Sequence, residues 1–149
     1  MTKLISKYDY ETTPKHIIKK ICNGCGAANG GWKNKLIPET IYGLNIKECC
    51  QIHDFMYFFG VSKYGKILAD KVFLTNMYRL IADGNYWLRF LRRRRAKKYY
   101  LAVKFFGKKA YMSNKEGFNN NIPITSNDLV EQKKYEKLKW PKLSNETIL

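Results

Sequence analysis

Residues 48–57 read ECCQIHDFMY, and the spacing of these side chains decides the fold class. A helix is predicted over 46–59, opened by Asn45 as N-cap and ended by Gly60. Cys49, Cys50, His53, Met56 and Tyr57 then recur at helical spacing and share one face. His53 and Tyr57 stand one turn apart on it. Asp54 is turned about 100° from His53 and looks toward another wall. A second helix is predicted from after Ser62 to about residue 81. Its stripe is Ile67, Phe73, Leu74, Met77, Leu80 and Ile81, and one acid, Asp70, lies on that stripe. A carboxylate on a core-facing stripe must find partners or take up a proton. If the two helices pack antiparallel, Asp70 meets His53 and Tyr57. That contact would fix the imidazole tautomer and leave the other ring nitrogen as a base.

Working outward, residues 22–32 read CNGCGAANGGW. Four glycines and two asparagines make this a turn-rich loop. Such a loop can turn several carbonyls to one point. With one carboxylate, Asp54, they form the hard oxygen set that Ca²⁺ prefers. A base, an orienting acid and a Lewis acid suit ester hydrolysis by an activated water. Before the loop, residues 1–21 read as a basic N-terminal arm with a short helix over 15–21 behind Pro14. After it, residues 33–45 read as irregular, broken by Pro38 and Gly43.

Asp83, Gly84 and Asn85 mark a turn into a third helix, expected over 86–106, with Ala96, Tyr99, Val103 and Phe106 facing inward. Residues 86–111 hold ten Lys or Arg and no acid. From 112 on the chain reads as irregular, with a short helix from Asn127 that ends before Pro141. The fold class is therefore mostly α: two central antiparallel helices, a preceding loop and an extra basic helix. A length of 149 residues fits a single domain. Its parts are the arm (1–21), the loop and helix pair (22–85), the basic helix (86–111) and the C-terminal segment (112–149).

The formal net charge is +16, from 28 Lys and Arg against 12 Asp and Glu. Such a surface seeks anions, either an anionic phospholipid membrane or nucleic acid, the latter through Arg92, Arg93, Arg94 and Arg95. No apolar run approaches the roughly 20 residues of a membrane span. The first ten residues lack the apolar stretch of a secretory signal. The expected location is the cytoplasm or the membrane periphery, with release by lysis or a non-classical route. Reduced thiols are then the default. Four cysteines also permit two bridges. Adjacent Cys49 and Cys50 would pair with Cys22 and Cys25, in either order.

The segment CCQIHDFMY resembles the CCxxHDxxY active-site helix of secreted phospholipase A2. GCGAANGG resembles that family's calcium loop. ADKVFLTNM, residues 69–77, resembles the second-helix segment of bacterial and fungal-type members. RRRRAKKYYLAVKFFG resembles a segment of phage and prophage proteins that carry this helix pair. The likeness to the family spans residues 22–81. It implies a phospholipase A2-like fold and calcium-dependent hydrolysis of the sn-2 ester of glycerophospholipids. It implies His53 as the base, Asp70 as its orienting acid and Tyr57 as a brace on Asp70. Asp54 with the carbonyls of Gly24, Gly26 and Ala28 would hold Ca²⁺, and the Gly26 amide would help stabilise the oxyanion. It also implies a bridge of Cys25 with Cys50, which leaves Cys22 and Cys49 for each other.

Two other readings use the same residues. Cys22, Cys25, Cys50 and His53 have acceptable zinc-ligand spacing. Together with the basic segment they would make a zinc-stapled nucleic-acid-binding module. Alternatively, a phospholipase-like fold without catalysis would serve as a structural or membrane-binding part.

Overall fold

The structure, a computed structural model, describes residues 2–22, 38–60 and 63–116, with side chains to 112. All of these fall within one compact unit, Met1–Asn119. The order is α1 (Lys15–Ile21), β1 (Thr40–Ile41), β2 (Leu44–Asn45), α2 (Lys47–Phe59), α3 (Lys63–Asp83), a 3-10 turn (Tyr86–Leu88) and α4 (Arg89–Glu116). The architecture is mostly α with one small antiparallel hairpin. The glycine-rich loop and the expected helix after Asn127 lie outside the described residues.

β1 and β2 replace the irregular stretch expected before α2. Tyr42 (φ 46°) and Gly43 (φ 75°) both adopt left-handed backbone, as a two-residue hairpin turn of the primed type requires. Two-residue strands are too short to show alternation, so the hairpin left no pattern to read. Ile41 and Ile46 from this region are buried.

α2 starts one residue later than expected. Asn45 still caps it from just outside: its Oδ1 accepts from the Lys47 amide at 2.8 Å. Gly60 ends the helix in an extended conformation. α3 runs back antiparallel, since His53 meets Phe73 while Gly60 lies beside Gly65. The two helices bury Ile52, Phe55, Met56, Ala69, Phe73 and Met77. Each large side chain there contributes about 1.5–3 kcal/mol by leaving water.

α3 is buried on more than the one face expected of it. Val72 and Asn76 are buried on a second side, where the N-terminal segment packs. Asn76 binds Ile5 at both ends of its amide, accepting from the Ile5 N–H and donating to the Ile5 carbonyl, each at 2.7 Å. Leu4 and Tyr10 are buried, and Tyr10 stands edge-on to Phe55 at 5.3 Å. The N-terminal arm is thus packed onto the helices through Leu4, Ile5 and Tyr10. At the other end of the stripe, Ile67 is 41% exposed, because it falls at the outer edge of the sector that buries Gly65, Ala69 and Asp70.

α4 runs ten residues past its expected end. Gly107 reads as a breaker in sequence, yet here it lies within the helix, against α2. The inner stripe is Arg92, Ala96, Tyr99, Val103, Gly107 and Tyr111, and Phe106 points out to solvent at 79% exposure. Arg92 is buried, and its Nη2 donates to the Tyr42 carbonyl at 2.8 Å, pinning α4 to the hairpin. Of the four consecutive arginines, Arg93, Arg94 and Arg95 are exposed. Among the described residues no helix is long and apolar enough to cross a membrane.

Candidate active site

The helix pair brings His53, Tyr57 and Asp70 together. His53 Nε2 lies 2.9 Å from Asp70 Oδ1, and the Tyr57 hydroxyl donates to the same oxygen at 2.7 Å. The second carboxylate oxygen, Oδ2, accepts from Lys66 Nζ at 2.7 Å. Asp70 is only 3% exposed, so these three donors replace the water it has lost. Burial by itself would raise the Asp70 pKa. The bonds and charges of His53, Lys66 and Tyr57 outweigh it and hold the carboxyl below its ordinary range. Asp70 is therefore an acceptor on both oxygens.

The His53 tautomer follows. Facing an ionised carboxylate, Nε2 carries the proton, and the neutral ring presents its lone pair at Nδ1. The ring is wedged between Tyr57 (centroids 4.1 Å apart) and Phe73 (5.0 Å), which fixes its plane. Burial pulls the His53 pKa down, but Asp54 and Asp70 on either side of the ring lift it above its ordinary 6.5. The Tyr57 pKa is driven up by burial and then by the Asp70 charge, so its hydroxyl stays a donor.

On the other side of the ring, Nδ1 is 3.9 Å from Asp54 Oδ1, beyond direct hydrogen bonding. The Asp54 side chain is 25% exposed. Its charge reaches Cys22, the last residue described before the glycine loop. Cys22 is fastened to α2 one turn before Asp54 is complete: its thiol donates to the Gln51 carbonyl at 3.2 Å. Cys22 is thus held against α2 in the neighbourhood of Asp54. Gly24, Gly26 and Ala28 lie outside the described residues.

The cysteines settle one expectation. Cys50 is disulfide-bonded, while Cys22 and Cys49 are free thiols. The Cys22 with Cys49 bridge does not form: Cys22 is spent on the Gln51 carbonyl, and Cys49 is fully buried. Burial, aided by Asp54 for Cys22 and Glu48 for Cys49, pushes both thiols up to about 12, so both stay protonated. Cys25 lies outside the described residues. A disulfide sulfur is not a thiolate ligand, so in this oxidised form Cys50 cannot serve the zinc set of Cys22, Cys25, Cys50 and His53.

Two participants escaped the sequence reading. Lys66 binds Asp70 and also donates to the carbonyls of Val103 (3.1 Å) and Lys104 (3.3 Å), so it joins the carboxylate to α4. Its signal was the four-residue step to Asp70 on one helix. Gly107 is the second. A Cβ there would stand 2.5 Å from the Tyr57 hydroxyl oxygen. Only glycine lets α4 close over Tyr57, whose ring also meets Tyr111 edge-on at 5.1 Å. The inner face of the basic helix is therefore a wall of this site.

Buried and oriented in this way, the constellation can accept a proton at Nδ1 next to a partly exposed carboxylate. No protein-family model, no curated protein and no solved structure matches this chain.

Proposed function

We propose that the chain hydrolyses the sn-2 ester of glycerophospholipids in a calcium-dependent reaction, on a phospholipase A2-like scaffold. The observation that carries this reading is the Asp70 carboxylate, which collects His53 Nε2 and Tyr57 and so turns Nδ1 away from the dyad, toward Asp54. A purely structural histidine needs only an acceptor for its N–H and a donor for its other nitrogen. This one is held on one nitrogen by a saturated acid, with a second acid beside the other nitrogen.

His53 Nδ1 would take a proton from water as the water oxygen bonds to the ester carbonyl carbon. The same proton would pass to the glycerol oxygen as the acyl–oxygen bond breaks, so His53 ends neutral. Asp70 would steady the transient imidazolium through Nε2, and Tyr57 and Lys66 would hold Asp70 still. Asp54 fits a calcium site: it is a hard oxygen donor beside the root of a glycine-rich loop, and the nearby Cys22 sulfur stays protonated and so is no competing ligand. Asp54 with the carbonyls of Gly24, Gly26 and Ala28 would hold the ion, which supplies positive charge for the ester oxyanion.

The test is fatty-acid release from anionic phospholipid vesicles by the wild type and by His53→Ala, each in calcium and in chelator. Release by the wild type in calcium alone is expected, with His53→Ala folded and inert. Equal release in chelator, equal release without His53, or vesicle binding with no release by the wild type would overturn the reading.

A further inference from the structure

The basic helix has two faces, and only the inner one is accounted for by the site. On a wheel of 100° per residue, Phe90, Leu101, Phe105 and Met112 fall within a sector of about 60°, opposite the buried stripe. They are exposed at 60%, 36%, 67% and 50%. Arg94, Lys97, Lys98 and Lys108 are exposed in or beside the same sector. Trp87, 84% exposed, extends the row past the helix start. The Arg94 guanidinium lies over the Phe90 ring at 5.7 Å, and Lys104 Nζ lies 5.7 Å from the Phe105 centroid. Rings and cations therefore sit at one level along the helix.

We infer that this outer face of α4 is a membrane-docking surface. It would lie flat in the interface of an anionic bilayer, with Phe90, Leu101, Phe105 and Met112 in the acyl boundary and the cations at the phosphates. Three features select that occupant. Exposed aliphatic and aromatic side chains interleaved with cations match a headgroup layer over hydrocarbon. Nucleic acid would use the cations and stack on rings, but it offers nothing to Leu101 and Met112. A second copy would bring two strongly cationic faces together, in a chain of net charge +16. The helix docks without crossing, because no described helix is long and apolar enough to span.

The surface is independent of the hydrolytic reading, and ether-linked lipids keep the two apart because they carry no ester. The full chain is sedimented with vesicles of ether-linked phosphatidylcholine, with and without ether-linked phosphatidylglycerol, at physiological and high salt. Binding that needs the anionic lipid and persists in part at high salt is expected. A blue shift of tryptophan emission should accompany it and vanish in Trp87→Phe. Phe90→Ala with Phe105→Ala, on an exposed face and checked for folding by circular dichroism, should weaken binding about tenfold or more. No binding to anionic vesicles would overturn the inference. Binding that salt abolishes and the double variant leaves intact would also overturn it. So would tighter binding to a single-stranded oligonucleotide than to vesicles, or a dimer that the double variant dissolves.

Discussion

Two carboxylates flank the His53 ring, and the fold treats them in opposite ways. Asp70 is buried and meets three donors on two oxygens. Asp54 is a quarter exposed, stands 3.9 Å from the ring, and lies close enough to Cys22 for its charge to be felt there. In the proposed reaction the first would hold the orientation of the ring and the second would meet the calcium ion. The same residue type thus sits in two environments, one nearly closed to solvent and one partly open to it.

Removing the orienting acid should have the largest effect. Asp70→Asn can accept at only one position and cannot stabilise an imidazolium by charge, so fatty-acid release should fall on the order of 10²–10⁴-fold. It also strands the Lys66 charge, so a thermal melt is expected to show a loss of stability alongside. Asp54→Asn should leave folding nearly unchanged while release no longer saturates with calcium; a calcium titration separates the two carboxylates by this difference. Equal behaviour of the two variants would erase the contrast between them.

The next effect tests the wall behind Tyr57. Gly107→Ala should force the Tyr57 hydroxyl off Asp70, lowering activity about tenfold, the equivalent of one modest hydrogen bond. Tyr57→Phe should match it, and the double variant should add little. If Gly107→Ala is neutral, α4 is not part of the brace. Lys66→Met removes one donor and should destabilise by about 1–3 kcal/mol. The pH dependence has a definite sign. The lowered Asp70 pKa means its stabilisation is present above its unfolded value and is lost as pH falls through the folded one. Without Lys66 the folded pKa moves up, so acid unfolding should begin at higher pH.

His53 carries the smallest and opposite effect. Its folded pKa lies above 6.5. The stability it lends as imidazolium is complete below 6.5 and fades as pH rises through the folded value. In the proposed reaction the neutral ring is the base, so release should fall as pH drops through the folded value, and calcium on Asp54, by offsetting a charge that lifts His53, should move that limb to lower pH. Stability and activity are expected to diverge across that window, which parallel melts and rate profiles can check.

Much of this was legible because helical periodicity is strict. A four-residue step put His53 and Tyr57 on one side, and an acid on an apolar stripe marked Asp70 as a partner. Lys66 was hidden because a lysine at the edge of a stripe reads as solvated, and only the packing of α4 supplies the two carbonyls that draw it inward. Gly107 was hidden for a related reason: its local preference is to end a helix, and a tertiary contact with Tyr57 overrides it. Residues 2–13 carry no periodicity, so nothing in them announced the clamp by Asn76. Arg92 looked like its three neighbours until the hairpin carbonyl picked it out.

The most direct measurement is of the His53 ring itself, by ¹⁵N-detected NMR on the folded chain above the pH where the imidazole deprotonates. A proton on Nε2 and a lone pair on Nδ1 are expected, with Nδ1 shifting on protonation and both signals disturbed in Asp70→Asn. A proton resident on Nδ1 would contradict the assignment, since the nitrogen facing Asp54 would then have no lone pair with which to take a proton from water.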